Sequence, residues 1–313
     1  MRILVAGLVV SAGSLLVFAQ EPTRITSASN VRLRASPSES AAVVASLALG
    51  TDLIQLDTGG DGATWTRVRT AGGHDGWLPS RLTRSLTSSR RIEVIEAIVR
   101  ERLERKGDAF APRSELSELV ERTLKDAQDP EAAGRFALYW ITSMAGALQA
   151  VPSRRGKEQP HKDWLAARAD AVVYHELGQR WVIRQTRLWQ LHDAHARTAS
   201  ADELAWAAVI NGSRGECEGF VPCYVRWLDL LEGEYLRRSA LGQHVGEAVA
   251  RVANAASAWG APVPGPYFLD PAKDCVELVQ SLDPLRAALA TTRADGLQSV
   301  LANLDKLRSG CKG

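Results

Sequence analysis

The sequence has 313 residues and a formal net charge of +2, from 38 Lys and Arg against 36 Asp and Glu. A nucleic-acid binder draws most of its affinity from phosphate contacts, so a chain without a basic excess is not expected to be one. The ~290 residues behind the leader described next are enough for two domains.

The first nineteen residues read as a secretory signal. Arg2 supplies a basic start. Ile3 to Val10 and Leu15 to Phe18 form an apolar core, and Val17-Phe18-Ala19 places small or medium residues where a signal peptidase reads. Glu21, Pro22 and Arg24 follow at once. The expectation is cleavage after Ala19, with the mature chain periplasmic or secreted. The apolar run is short for a membrane span and is weakened by Gly7 and Gly13; no later segment is long and apolar enough to cross a bilayer. No cysteine lies near the cleavage point, so a lipid anchor is not expected.

Residues 20–86 carry strand signals. Val31-Arg32-Leu33-Arg34 and Trp65-Thr66-Arg67-Val68-Arg69 alternate apolar and polar residues, the period of a half-buried strand. Val43 to Leu47 and Asp52 to Leu56 are further strands, divided by Gly50. Ser36-Pro37-Ser38, Gly59-Gly60-Asp61-Gly62 and Gly72-Gly73-His74-Asp75-Gly76 are turn or loop clusters. Five or six short strands in so short a span predict a small barrel, an architecture that removes exposed sheet edges.

The run Asn30-Val31-Arg32-Leu33-Arg34-Ala35-Ser36-Pro37, then Gly50-Thr51, Trp65, Gly76-Trp77-Leu78 and Leu82, resembles the bacterial SH3 (SH3b) domain. Ala35 stands where that family often has a glycine, a mild departure. The resemblance implies an SH3-like barrel that binds cell-wall peptide, peptidoglycan or another extended ligand. Of the two exposed-strand tryptophans, Trp65 is the candidate ligand contact, and Trp77 is placed at the boundary between core and groove.

Beyond residue 87 the apolar period becomes helical. Ile92, Ile95, Ile98 and Leu103 mark one face; Leu116, Leu119 and Leu124 mark another, with Ser114 expected as N-cap. Asp129-Pro130 opens a helix running to Ala150. Ser200-Ala201-Asp202-Glu203 is a capping box before Leu204 to Ile210. Helices are expected over Phe220 to Leu231, Gly233 to Arg238, Val245 to Ala256, 272–292 and 296–309. Gly233 to Ala248 is similar to one tetratricopeptide unit, without a second copy at a fixed period. The expected architecture is multi-domain: a small all-β barrel followed by a larger all-α domain over 87–313.

The four cysteines, Cys217, Cys223, Cys275 and Cys311, all lie in the last third. An even count in an exported chain points to disulfides, with three possible pairings. The nearest-neighbour pairing, Cys217–Cys223 and Cys275–Cys311, is preferred. The spacings match no common zinc pattern.

One string invites an enzymatic reading. Gly215-Glu216-Cys217-Glu218-Gly219-Phe220 resembles the nucleophile motif of NlpC/P60 cysteine peptidases, and Gln243-His244-Val245-Gly246 resembles their histidine motif. The resemblance implies a cell-wall cysteine hydrolase with Cys217 as nucleophile and His244 as base. Glu218 beside the thiol would raise its pKa, the gap to His244 is short, and the sequence around His244 is helical where that family has a strand. His192 and His195, three residues apart, are a candidate metal pair that lacks an identified third ligand. Binding rather than catalysis, without a metal or cofactor, is therefore the leading expectation, with the helical domain serving as an interaction platform, and with peptidoglycan, cell-wall peptide or another envelope protein as partner.

Overall fold

The computed structural model describes residues 21–57, 64–152, 156–258 and 271–311. The signal-peptide reading of 1–19, the Gly59–Gly62 loop and most of the proline-rich loop at 260–271 lie outside the described residues. Backbone contacts divide the chain into two compact units, Met1–Val94 and Ile95–Gly313.

The first unit is a seven-stranded antiparallel sheet. Its strands are β1 (Arg24–Thr26), β2 (Val31–Arg34), β3 (Val43–Leu47), β4 (Asp52–Gln55), β5 (Trp65–Thr70), β6 (Asp75–Pro79) and β7 (Thr83–Ser85), in the spatial order β3-β2-β6-β5-β4-β1-β7. The alternation in the sequence becomes an inside and an outside. Val31, Leu33, Leu47, Leu53, Val68 and Leu78 close on one another as an aliphatic core. Two strands beyond the expected set, β1 and β7, pair with each other, and β1 also pairs with β4. Gly76 is needed for packing: a Cβ there would lie 2.6 Å from Leu33 Cγ and 2.8 Å from the Arg34 carbonyl oxygen. The glycine of the Gly-Trp pair thus allows a close approach of β6 to β2.

The second unit is mostly helical. α1 (Arg91–Leu103) leads into it, followed by α2 (Phe110–Asp126) and α3 (Pro130–Gln149), which pack as a hairpin. Asp129 caps α3 by accepting Ala132 N–H at 2.9 Å, with Pro130 at the first helical position. Ser114 does not cap α2. The helix starts four residues earlier, because Pro112 is tolerated in a first turn, and Ser114 Oγ donates to the Ala111 carbonyl instead.

The expectation of helices alone misses a hairpin. After α4 (His161–Ala166), β8 (Val172–His175) pairs antiparallel with β9 (Arg180–Ile183). Val172-Val173-Tyr174 and Trp181-Val182-Ile183 are β-branched and aromatic, and four residues span the turn between the strands. α5 (Gln185–Ala194) and α6 (Ala201–Ile210) follow.

The larger core of this unit gathers α6, α7 (Val221–Leu228), a π-helical turn at Asp229–Gly233, α8 (Glu234–Arg238), α9 (Val245–Ala258), α10 (Pro271–Ala290) and α11 (Leu297–Ser309). Tyr235, Leu231, Val252, Leu285 and Leu304 are fully buried there. Gly233 to Ala248, the stretch similar to a tetratricopeptide unit, comprises the end of the π turn, the five-residue α8 and the start of α9.

Candidate functional site

The outward face of the barrel is built by strand register. Arg34 on β2 sits opposite Trp77 on β6, and Trp77 sits opposite Arg67 on β5. Trp65 is two residues from Arg67 and pairs with Pro79, so it lies on the same face and diagonal to Trp77. Val43 extends the row beyond Arg34 and is 49% exposed. A register shift between Leu33 and Arg34 leaves Val44 as an extra residue on β3, also exposed.

Both tryptophans are half-buried on this face. Trp77 has neighbours Gly76 and Leu78 pointing inward, and the core beneath is aliphatic, without an aromatic filler. Asp75 joins Arg69 in a two-pronged ion pair, with Nε–Oδ1 at 2.6 Å and Nη2–Oδ2 at 2.9 Å, and Arg67 approaches it at 3.7 Å. The Arg69 hydrogen bond, helped by the charge of Arg67, holds the Asp75 carboxyl below the usual aspartate range. Arg34 donates to the Ala41 carbonyl at 2.7 Å. Flat aromatic surfaces alternating with fixed guanidinium groups suit an extended ligand that carries carboxylates and amides.

Residues 29–84 match the family model of the bacterial SH3 domain. The match runs from the turn before β2 into β7 and so takes in Trp65, Trp77, Arg34 and Arg67. No curated protein and no solved structure matches the chain.

The matched SH3 segment lies within the first unit; the remaining candidates lie in the second. Cys217 is bonded to Cys223, with sulfur atoms 2.05 Å apart, and Cys275 to Cys311 at 2.06 Å. This is the nearest-neighbour pairing, and no cysteine is free. Cys217 has no thiol to ionise in this form, and it is 7% exposed. His244 precedes the helix α9, not a strand. Its ring stacks on Trp206 at 4.9 Å and 7°, and its Nε2 lies 3.1 Å from Glu203 Oε1. The hydrolase reading thus loses both its nucleophile and the strand that would present its base.

The histidine pair is also separated. α5 ends at Ala194, so His195 falls beyond the helix at its C-cap, where burial lowers its pKa. His192 is buried; its Nδ1 lies 3.0 Å from Asp193 Oδ1 and 3.1 Å from Arg238 Nη1. Burial would raise the Asp193 carboxyl, but hydrogen bonds from His192 and Arg238 outweigh it and leave the pKa lowered.

A different trio draws together where the capping box was expected. Asp202, Glu203 and His244 bring ligand-type atoms within 4.8 Å of one another. Ser200 makes no capping bond with its side chain, and Glu203 turns to His244 instead. Asp202 accepts from Tyr235 Oη at 2.9 Å and from Gln243 N–H at 2.8 Å. These internal bonds account for the trio as a tie between α6 and the start of α9.

Six of the seven tryptophans beyond residue 87 lie among the described residues, and they are structural to different degrees. Trp140, Trp164 and Trp206 are buried, while Trp181, Trp189 and Trp227 are half-buried.

Proposed function

We propose that the protein is an exported envelope protein whose SH3 domain holds peptide or cell-wall material on the face bearing Trp65, Trp77, Arg34 and Arg67. The observation that carries this reading is the cross-strand row Arg34–Trp77–Arg67, an aromatic flanked on both sides by guanidinium groups on an outward sheet face. Arginine pairs bidentately with carboxylates, and an indole face takes apolar and cationic groups, so the row fits a peptide with free acid groups. Export follows from the leader read in the sequence, and two disulfides are at home in an oxidising compartment. The helical unit serves in this reading as an interaction platform.

The test is retention of the full mature chain on purified, insoluble peptidoglycan. Wild-type protein is expected in the pellet, and Trp77→Ala and Arg67→Ala in the supernatant, with the far-UV spectrum unchanged. Equal retention of both variants would move binding off this face.

A further inference from the structure

The second unit holds a cleft in two adjoining parts. One part, about 480 Å3, is walled by apolar side chains that include Leu148, Trp181, Ile183 and Ile210. The other, about 520 Å3, is lined by Arg180, Arg214, Arg251 and His175. The two share Arg180, Ile210, Gly212 and Ser213. Gly212 lets the rim pack closely, since a Cβ there would lie 2.6 Å from both Gln185 Oε1 and Leu231 Cδ2 and would displace those side chains.

The three arginines come from β9, from the loop after α6 and from α9, and Arg214 and Arg251 are tied to carboxylates. His175 Nδ1 accepts Gly178 N–H at 3.0 Å, so its Nε2 carries the proton and donates to the Arg214 carbonyl at 2.9 Å, pinning that backbone. Glu232, fully buried in the π-helical turn, accepts a short hydrogen bond from Arg214 and lies 3.9 Å from Arg251. Glu247 pairs with Arg251 at 3.2 Å. The guanidinium-bearing side chains of Arg214 and Arg251 nevertheless stay 43% and 36% exposed. Arg180 pairs with no carboxylate among the described residues, and it stands where the cationic and apolar parts meet. Glu232 does not line the cleft, whereas Arg180, Arg214 and Arg251 do.

We propose that this cleft binds a small amphipathic oxyanion, its carboxylate or phosphate held by Arg180, Arg214 and Arg251 and its apolar tail laid against Trp181, Ile183 and Ile210. Arginine forks match both oxyanions, and the joined volumes lie within the range of ligand sites. The cleft belongs wholly to the second unit, so the proposal stands or falls separately from wall binding by the SH3 domain.

Calorimetric titration of the full mature chain with octanoate, octyl phosphate and neutral octanol tests it. At least one of the two anions is expected to bind, and whichever binds more tightly identifies the head group. Octanol should bind about tenfold or more weakly, the factor expected for losing a charge-assisted bond. Arg180→Gln, at an exposed residue, should weaken the anion by about tenfold with unchanged circular dichroism, and Arg251→Gln should do the same. Salt at about 1 M, where screening acts over ~3 Å, should weaken it further. Equal binding of octanol, unchanged affinity in both variants, or no binding of either anion would overturn the proposal.

Discussion

Tyr235 donates its phenolic hydrogen to Asp202 across 2.9 Å, and the same oxygen accepts the backbone N–H of His244 at 3.1 Å. Tyr235 is fully buried, and burial together with the Asp202 hydrogen bond pushes its pKa up, so the phenol stays a donor throughout the ordinary pH range. The chain at Gly242 passes so close that a Cβ would lie 1.9 Å from Asp202 Oδ1 and 2.4 Å from Tyr235 Oη. Two substitutions probe this tie. Tyr235→Phe removes the donor to Asp202 Oδ1 and the acceptor of the His244 N–H, while Asp202 Oδ2 keeps the Gln243 N–H, at a cost of about 1–3 kcal/mol. Gly242→Ala forces the loop outward, at about 1–3 kcal/mol. Denaturant midpoints should fall in both; an unmoved midpoint for Gly242→Ala would mean that the contact is soft.

The two disulfides should differ in their contribution. Cys275–Cys311 spans 36 residues and joins α10 to the turn just after α11; Cys217–Cys223 spans six. On a chain-entropy account the longer loop contributes about 3–4 kcal/mol and the shorter about 2 kcal/mol. Cys311→Ser paired with Cys275→Ser should therefore lower the unfolding midpoint more than Cys217→Ser paired with Cys223→Ser. The reverse order would show that the short loop at Gly219 and Pro222 is the more strongly constrained by its bridge.

What the sequence disclosed and what it hid follow from the range of each interaction. Strand alternation around Leu33 and Val68, and the Asp129-Pro130 helix start, are local patterns, and the structure repeats them. The nearest-neighbour cysteine pairing follows the order of the cysteines along the chain, although only Cys217–Cys223 closes a short loop. The β8–β9 hairpin does not show as a period because Val172-Val173-Tyr174 and Trp181-Val182-Ile183 are too short, and only their β-branched and aromatic composition signals it. Arg67 and Trp77 face each other across one hairpin, but the register that sets Trp77 opposite Arg34 joins distant parts of the sequence and is invisible to any window. The meeting of Arg180, Arg214 and Arg251 is tertiary in the same way, and nothing local distinguishes those arginines from other surface arginines. The capping-box signature misled because Glu203 met His244, forty-one positions away, and spent its carboxylate there.

The two faces of β6 should separate binding from folding. Leu78 is fully buried among Val31, Leu33, Leu53 and Val68, so Leu78→Ala should cost about 2–5 kcal/mol and lower the melting temperature of the SH3 domain. Trp77 beside it faces outward, and Trp77→Ala should abolish retention on peptidoglycan while shifting the melting temperature much less. Differential scanning calorimetry run beside the pelleting assay checks this. A Trp77→Ala melting shift as large as that of Leu78→Ala would make Trp77 a packing residue.

Glu232 should make the second unit less stable as pH rises. Burial raises the Glu232 pKa, and attraction to Arg214 and Arg251 only partly offsets it. In the unfolded chain the same carboxyl titrates in the ordinary glutamate range. A folded-state pKa above the unfolded one means that folding favours the protonated form. The contribution is therefore complete below the ordinary range and is lost as pH rises through the raised value. Glu232→Gln keeps an acceptor for Arg214 but cannot ionise. The fall in melting temperature between about pH 5 and about pH 8 should be smaller in this variant than in wild type. The neighbouring Asp229, raised by burial as well, supplies a slope common to both proteins, so the difference between the two curves isolates Glu232. Identical curves would show that the buried carboxylate is fully compensated by its two arginines at neutral pH.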